Sequence, residues 1–540
     1  MNELEGFLLH APALIVAIPL LGAFLTPLVG KINEKVRNIW VLFIIALTSL
    51  FVFLLSYNIL AHESQKIAPD IVYNGYQYYV FGSSGGSQSV GLPIVRIIFQ
   101  VDGMNAMMII IGAILAIVGT IYSLSFIKKE TGLDKYFTLY LLMIAGMFGM
   151  MLTGDMFNFF VFLEITSIAS CALIAFWTNK GKAVEAAFKY IVISSIGALF
   201  ILFAIALLYS QYNALNMSVL SASIQYTFLD KIALVLLIGG LAMKAGIVPM
   251  HMWLPDAYGR APSSVTVVLI GTTLASLYAM LRMTFTVYGP NLNEVIRTIG
   301  EGQTAIEITL APLLGIIIVV LALITILIGV LMAIKQSDFK RLIAYAAVAE
   351  IGYMILAIGA ALTAIDTPHG YLALKGGLFH ILNDALDVGL LFLVAGAVYY
   401  ATKETSLNRL GGLARNMKYT TVFFVIGLFA VSGLPPMNGF ASKLLIYQST
   451  FQFNPILAIV AILCSILLLA VFVKIFYSAF LGPKQKKFEK VTEVPKTMLI
   501  AMAIVAGIII FIGLFPDLVV TNIIEPATDS LLRMVNMGGV

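Results

Sequence analysis

The chain has 540 residues, 61% of them hydrophobic and only 11% charged, with a formal net charge of +5. Soluble chains carry about 25% charged residues, and no water-solvated core of this size buries so much apolar surface, which excludes a soluble globular fold. The basic residues are spread over short loops, which argues against a nucleic-acid partner, and the two isolated cysteines, Cys171 and Cys464, are too few for an iron–sulfur or zinc site.

Apolar runs of roughly 20 residues or more, enough to cross about 30 Å of hydrocarbon as helix, recur along the whole chain. The alternating pattern of a membrane β-barrel is absent. Fourteen spans are predicted, over 11–30, 38–60, 104–126, 136–153, 156–177, 184–210, 230–254, 262–288, 309–334, 341–363, 369–400, 418–447, 455–481 and 497–516. The expected fold is therefore an all-α polytopic membrane protein. The first run has neither a basic n-region nor an A-x-A cleavage site and reads as a span, not a removable signal peptide. Between the second and third spans, IVYNGYQYYV, a Gly/Ser-rich turn and PIVRIIFQVDG predict a β-hairpin on the outer face. Residues 517–540 read as a short, weakly amphipathic tail, too short for a long lateral helix.

With the N-terminus outside, the odd-numbered loops are cytoplasmic. They collect Lys31, Lys35, Arg37, Lys128, Lys129, Lys180, Lys182, Lys340, Arg341, Arg409, Arg415, Lys418 and a lysine cluster at 484–496. The opposite loops hold chiefly Lys66, Arg96 and Arg297, an asymmetry that fits the positive-inside rule.

Two spans are interrupted by proline, which removes a backbone donor and clashes with the preceding turn. The seventh reads KAGIVPMHMWLPDA, with Pro249 and Pro255; the twelfth reads VSGLPPMNGFASK, with Pro435 and Pro436. Interrupted spans at matching places in two halves point to inverted repeats around a translocation site. The expected organisation is helices 1–3 with the outer hairpin over 1–133, a first inverted five-helix repeat over 134–288, a second over 309–482, and a last helix with its tail over 497–540.

The charges inside these spans are the candidate functional groups, because a charge at the centre of a membrane helix costs roughly 2.5–3.5 kcal/mol even on the lenient insertion scale. Glu164 and Lys244 each stand alone in a long apolar run, on the fifth and seventh spans. Burial disfavours a charged amine and a carboxylate neighbour stabilises it, so a lysine held between the two can exchange a proton. His251, just beyond the break, either passes protons onward or caps freed carbonyls. His380, Asp384 and Asp387 fall at i, i+4 and i+7 on one helix face, which must look into protein or water, as a hydrated relay or a structural network. Lys443 follows the second break, in a place that invites a terminal relay role or lets it snorkel to the surface; Glu350, within the tenth span, is a bundle contact or part of the axis; Lys474 is nearer a helix end, where it can snorkel.

GDMFNFFVFLE, KAGIVPMHMWLPDA, DFKRLIAYAAVAEIGYM, HILNDAL and SGLPPMNGFASK, taken in order, resemble one set of proteins over about residues 100–480. These are the antiporter-like membrane subunits shared by respiratory complex I, Mrp-type sodium/proton antiporters, and membrane-bound hydrogenases with their sulfur-reducing relatives. The resemblance implies that Glu164 and Lys244 form the charged pair of a first half-channel, that Lys443 is a terminal lysine and His380 a histidine of the central axis. Two places depart from the family pattern. The eighth span offers Val268 or Leu274 where the family carries lysine or histidine, and in HILNDALDV Asp384 stands at a second histidine and Val388 at a central lysine. Asp384 and Asp387 either carry the link differently or favour a sodium ion, since carboxylates suit hard cations.

What the resemblance implies for function is a proton- or sodium-translocating subunit, in the cell membrane, of a multi-subunit respiratory oxidoreductase such as a membrane-bound hydrogenase or sulfur reductase. Such a subunit has no redox site or cofactor of its own. Its partners are the lipid bilayer, other membrane subunits, and iron–sulfur or nickel–iron redox subunits on the cytoplasmic side. An Mrp-type antiporter subunit without a redox partner, and a degenerate subunit with a purely structural role, are the alternatives.

Overall fold

A computed structural model describes residues 8, 10–62, 72–73, 76–81, 97–299, 306–483 and 485–537. Two helices, α1 (Ala11–Gly30) and α2 (Glu34–His62), lead into a small antiparallel sheet of β1 (Val72–Tyr73), β2 (Tyr76–Phe81) and β3 (Ile97–Val101). The expected hairpin is the β2–β3 pair, in register from Gln77 opposite Val101 to Phe81 opposite Ile97, with β1 added on the far edge of β2. Its Gly/Ser-rich turn lies outside the described residues.

The first helical half comprises α3 (Gly103–Phe126), α4 (Leu133–Leu152), α5 (Met156–Ile174), α6 (Gly181–Tyr212), the short α7 (Met217–Ser223), α8 (Phe228–Ala245), α9 (Trp253–Arg260) and α10 (Ser263–Leu281). A two-stranded hairpin absent from the sequence reading, β4 (Val295–Ile299) with β5 (Ile306–Thr309), joins it to the second half. There follow α11 (Leu310–Lys335), α12 (Phe339–Thr363), α13 (Pro368–Thr402), α14 (Lys418–Val431), α15 (Asn438–Phe453), α16 (Pro455–Ile475), α17 (Lys496–Leu514), α18 (Pro516–Val519) and α19 (Glu525–Met537).

Among the described residues, thirteen helical stretches are long and apolar enough to cross a bilayer. The remaining predicted span, the twelfth, is two shorter helices, α14 and α15, on either side of a gap at 432–437 that contains the Pro435–Pro436 pair. The seventh is likewise split, into α8 and α9, with a single 3₁₀ turn over Met250–Met252 between them. Both breaks fall where proline denies the helix its donor. Gly246, at φ +75°, closes α8 in the left-handed region that a residue with a side chain rarely adopts.

Start signals are explicit along the chain. Asp102 and Asn105 form a reciprocal capping box at α3, Thr227 and Asp230 another at α8, and Asp338 caps α12. The spans sort by what surrounds them. The most apolar stretches of α10, α12 and α13 are wholly buried, whereas those of α11 and α16 are less than half buried. Glu350 on α12 and Asp384 and Asp387 on α13 therefore face protein, as the cost of a charge against acyl chains requires.

Two close helix approaches set up the interior. A Cβ on Gly240 of α8 would lie 2.6 Å from the Gly197 carbonyl oxygen of α6, and one on Gly329 of α11 would lie 2.6 Å from the Ala349 nitrogen of α12. Small residues let membrane helices meet backbone to backbone. The first approach brings Ser194 to Lys244, and the second seats α12 around Glu350. Gly240→Ala is expected to cost about 1–3 kcal/mol through overpacking, more than the roughly 1 kcal/mol by which alanine favours a helix. The melting midpoint in detergent should fall; an unchanged midpoint would contradict the close approach.

The C-terminal segment corrects the expectation of a weakly amphipathic tail. Ile524, Ala527, Leu531 and Val535 repeat at helical spacing and are buried, so α19 packs back onto the bundle. It is tied there by Glu525 to Lys375 at 2.7 Å, by Asp529 accepting from the Tyr371 hydroxyl at 3.0 Å, and by Ser530 accepting from the Gly103 amide at 3.1 Å.

Candidate functional site

The fifth and seventh spans meet as the sequence suggests. Lys244, in the last turn of α8, points its ammonium at Glu164 of α5, with Nζ 4.0 Å from Oε1. Direct hydrogen bonds go elsewhere: Nζ donates to Ser167 Oγ at 2.6 Å and Ser194 Oγ at 2.5 Å, and the two serines are 3.2 Å apart. Lys244 is 6% exposed and Glu164 29%, so the amine is inside and the acid at the margin. At an effective dielectric near 20 two unit charges at this distance attract by about 4 kcal/mol, most of which the cost of burying the ammonium offsets. The lysine borders a cavity with Ser167, Ser194, Tyr190, Thr272, Thr273 and Ser276 on its wall. Hydroxyls reach into an otherwise mostly apolar wall, and the space is roomy enough for about one water molecule.

The break beside Lys244 is closed by Trp253, whose indole Nε1 donates to the Met243 carbonyl at 2.9 Å. His251 is buried in the 3₁₀ turn, and its Nδ1 has no hydrogen-bond partner in the protein. The freed carbonyl of Met243 is thus capped by tryptophan and not by the histidine.

A second and tighter centre lies between α12, α13 and α15. Glu350 Oε1 accepts from Lys443 Nζ at 2.8 Å, and its Oε2 pairs with His380 Nε2 at 2.9 Å. His380 Nδ1 is 3.1 Å from Ser442 Oγ, and Lys443 also donates to the Val431 carbonyl at 2.8 Å, one of the acceptors freed at the end of α14. The ammonium stands 4.7 Å from the centre of the Tyr353 ring. Glu350, Lys443 and His380 are each almost fully buried. Glu350, which the sequence left between a bundle contact and a role in the axis, is the group that joins the other two.

The two aspartates on α13 differ. Asp387 Oδ1 accepts from Asn438 Nδ2 at 2.9 Å at the start of α15, within a network that includes Asn383. Asp384, one turn from His380, is buried with Oδ1 unpartnered and lines a second small cavity. Lys474 is not brought to this interior. It is exposed and donates to the carbonyls of Ile334 at 2.9 Å and Gln336 at 3.1 Å, capping the end of α11.

Several participants escaped the sequence reading. Ser167 is three residues after Glu164, so helical spacing was an available signal; Ser194 and Ser442 carried none. Lys340, read as part of a cytoplasmic loop, is buried and donates to the Ala261 carbonyl at 2.5 Å.

Comparison with known proteins follows the same lines. The family described as "NADH:quinone oxidoreductase/Mrp antiporter, TM" matches residues 153–301 and 303–469, more than half of the chain. NADH-quinone oxidoreductase subunit N of Desulforudis audaxviator is 29% identical over 96% of this chain and 98% of its own length. An Na⁺/H⁺ antiporter subunit of Alkalihalophilus pseudofirmus is 30% identical over 82% of this chain and 85% of its own. A chain in the solved structure of the membrane-bound sulfane sulfur reductase, an archaeal respiratory membrane complex, superposes with a TM-score of 0.80 at 26% identity, covering 98% of this chain and 99% of that one.

Proposed function

Since the chain belongs to the NADH:quinone oxidoreductase/Mrp antiporter transmembrane family, we propose that it moves protons or sodium ions across the cell membrane as an antiporter-like subunit of a respiratory oxidoreductase. The observation that carries this reading is the pair of lysine–carboxylate centres with buried amines, Lys244 with Glu164 and Lys443 with Glu350, each beside a broken helix. The proposed division is a first inverted repeat over 134–288 and a second over 309–482, each contributing one centre.

Such a subunit works by electrostatics. Electron transfer in a partner changes the field along the buried axis and shifts the Glu164–Lys244 separation. With Glu164 near, the ammonium is stabilised; with Glu164 withdrawn, burial drives a proton off the amine into the polar cavity. The serines Ser167 and Ser194 hold the amine in place in both states, since a hydroxyl either accepts from or donates to it. The electron-transferring groups are assigned to iron–sulfur or nickel–iron subunits on the cytoplasmic side, and this chain, with its N-terminus outside, is proposed to hold no cofactor.

Relatives in this family include the Alkalihalophilus antiporter subunit named above, so an Mrp-type assembly without redox chemistry is the second reading. Purification in mild detergent through a tag on this chain separates the two. Co-elution of an iron–sulfur or nickel–iron protein is the expected outcome. Co-elution of small membrane proteins alone would transfer the chain to the antiporter assembly.

A further inference from the structure

The loose half of the first broken helix is α9. It is eight residues long, is cut off from α8 by the 3₁₀ turn, and begins at Trp253, which caps the Met243 carbonyl beside Lys244. Helices this short depend on tertiary packing for their position, so what holds the far end of α9 also sets the geometry at the break.

That far end is held by ion pairs outside both lysine centres. Asp256 takes one cation from each half of the chain: its Oδ2 accepts from Lys189 Nζ of α6 at 2.9 Å, and its Oδ1 lies 3.3 Å from Arg341 Nη2 of α12. Arg260, one turn further on, pairs at 3.1 Å with Asp338, the residue that caps α12. The Ala261 carbonyl, directly after α9, accepts from the buried Lys340. Asp256, Arg260 and Asp338 are each no more than 20% exposed. An isolated exposed pair contributes little, whereas sheltered pairs that share carboxylates act as a network. The helices also touch at the backbone, since a Cβ on Gly259 would lie 2.7 Å from Arg341 Cγ.

Both cations on Asp256 sit on helices that reach a lysine centre. Lys189 is five residues before Ser194 on α6, and Ser194 accepts from Lys244. Arg341 is nine residues before Glu350 on α12, or about 13 Å along the helix. Rigid helices joined by such contacts are the kind of element that carries coupling between distant sites.

We propose that Asp256 is the node of an ion-pair clasp that makes α9 and the start of α12 one rigid body, so that a change of state at Lys244 reaches Glu350 as a displacement of α12. This rests on the reading of the two centres as the translocating groups. Asp256, Arg260, Asp338 and Arg341 are positioning residues, acting through the helices that bear them.

The test uses the intact complex, reconstituted in proteoliposomes, with ion-gradient formation and partner redox activity measured together. Asp256→Asn is expected to lower the ions moved per electron by about fivefold or more, and Asp256→Glu, which keeps the charge, recovers most of that ratio. A covalent tie then examines the mechanical claim. A Cβ on Gly259 would lie 3.7 Å from Arg341 Cβ, within the roughly 3.5–4.5 Å that a disulfide spans. Gly259→Cys combined with Arg341→Cys should transport poorly when reduced, because the Arg341 charge is gone, and should regain most transport once the disulfide forms. Arg341→Cys alone, oxidised in the same way, should stay impaired. Equal impairment of the reduced and cross-linked forms would overturn the clasp; because both are read in one assembled preparation, the comparison holds even if Asp256→Asn fails to assemble. Full transport in Asp256→Asn with loss in Lys244→Ala would overturn the clasp alone, whereas full transport in both would overturn the translocating centres themselves.

Discussion

Lys244→Ala is expected to reduce ion transport by the reconstituted complex by about a hundredfold or more, with partner redox chemistry still measurable. The amine is the cation of the first cavity, and alanine leaves nothing there that holds a transferable positive charge. Folding should be little affected, because Ser167 and Ser194 already lie 3.2 Å apart and can satisfy one another when the amine is gone. Glu164→Gln keeps the shape and removes the charge. At 4.0 Å, with the acid 29% exposed, its loss should lower transport by about tenfold and barely move the melting midpoint. Lys474→Gln, on a residue bonded to the end of α11, is the matched control and should transport normally. Wild-type transport in both Lys244→Ala and Glu164→Gln, in assembled complexes, would remove the first centre from the mechanism.

At the second centre, Glu350→Gln is expected to damage stability as well as transport. The Glu350 carboxylate takes Lys443 at 2.8 Å and His380 at 2.9 Å in a site from which water is almost excluded. Removing its charge leaves the ammonium in direct contact with neutral groups alone, the new amide oxygen, the Val431 carbonyl and the Tyr353 ring. Breaking one side of a buried pair typically costs about 3–5 kcal/mol, while removing both sides costs far less. Glu350→Gln combined with Lys443→Met should therefore regain more than half of the lost stability yet remain inactive in transport. The resulting double-mutant cycle measures the coupling directly. If Glu350→Gln alone left both the melting midpoint and transport unchanged, the geometry of this centre would have to be rejected.

The contrast between the two centres has a mechanical meaning. The first pair is separated by 4.0 Å and padded by serines, so small movements of Glu164 change its energy without breaking a direct hydrogen bond. The second is closed by direct bonds on both oxygens of Glu350, so separating it would break hydrogen bonds that the first pair does not make.

Span positions, the two breaks, and the candidacy of Glu164, Lys244 and Lys443 were all legible in the residues themselves. A helix in lipid must satisfy its backbone internally, so length, apolarity and proline placement are local properties that a linear reading can find. The same locality explains the misses. The α19 segment is short, with Pro526 in its first turn, and its packing depends on a surface made by helices far away in the chain. Lys340 looked like a loop lysine because its burial comes from the Ala261 turn, 79 residues earlier.

Composition and periodicity thus determined on their own that this is a multi-pass helical membrane protein carrying lone charges in its interior. Which of those charges meet was decided only by the tertiary structure. Glu350 and Lys443 are 93 residues apart and Lys244 and Ser167 are 77 apart. The rotation of each helix about its own axis, set by close approaches such as Gly329 on Ala349, chooses the partner. That rotation is a property of packed pairs of helices, so no single span records it.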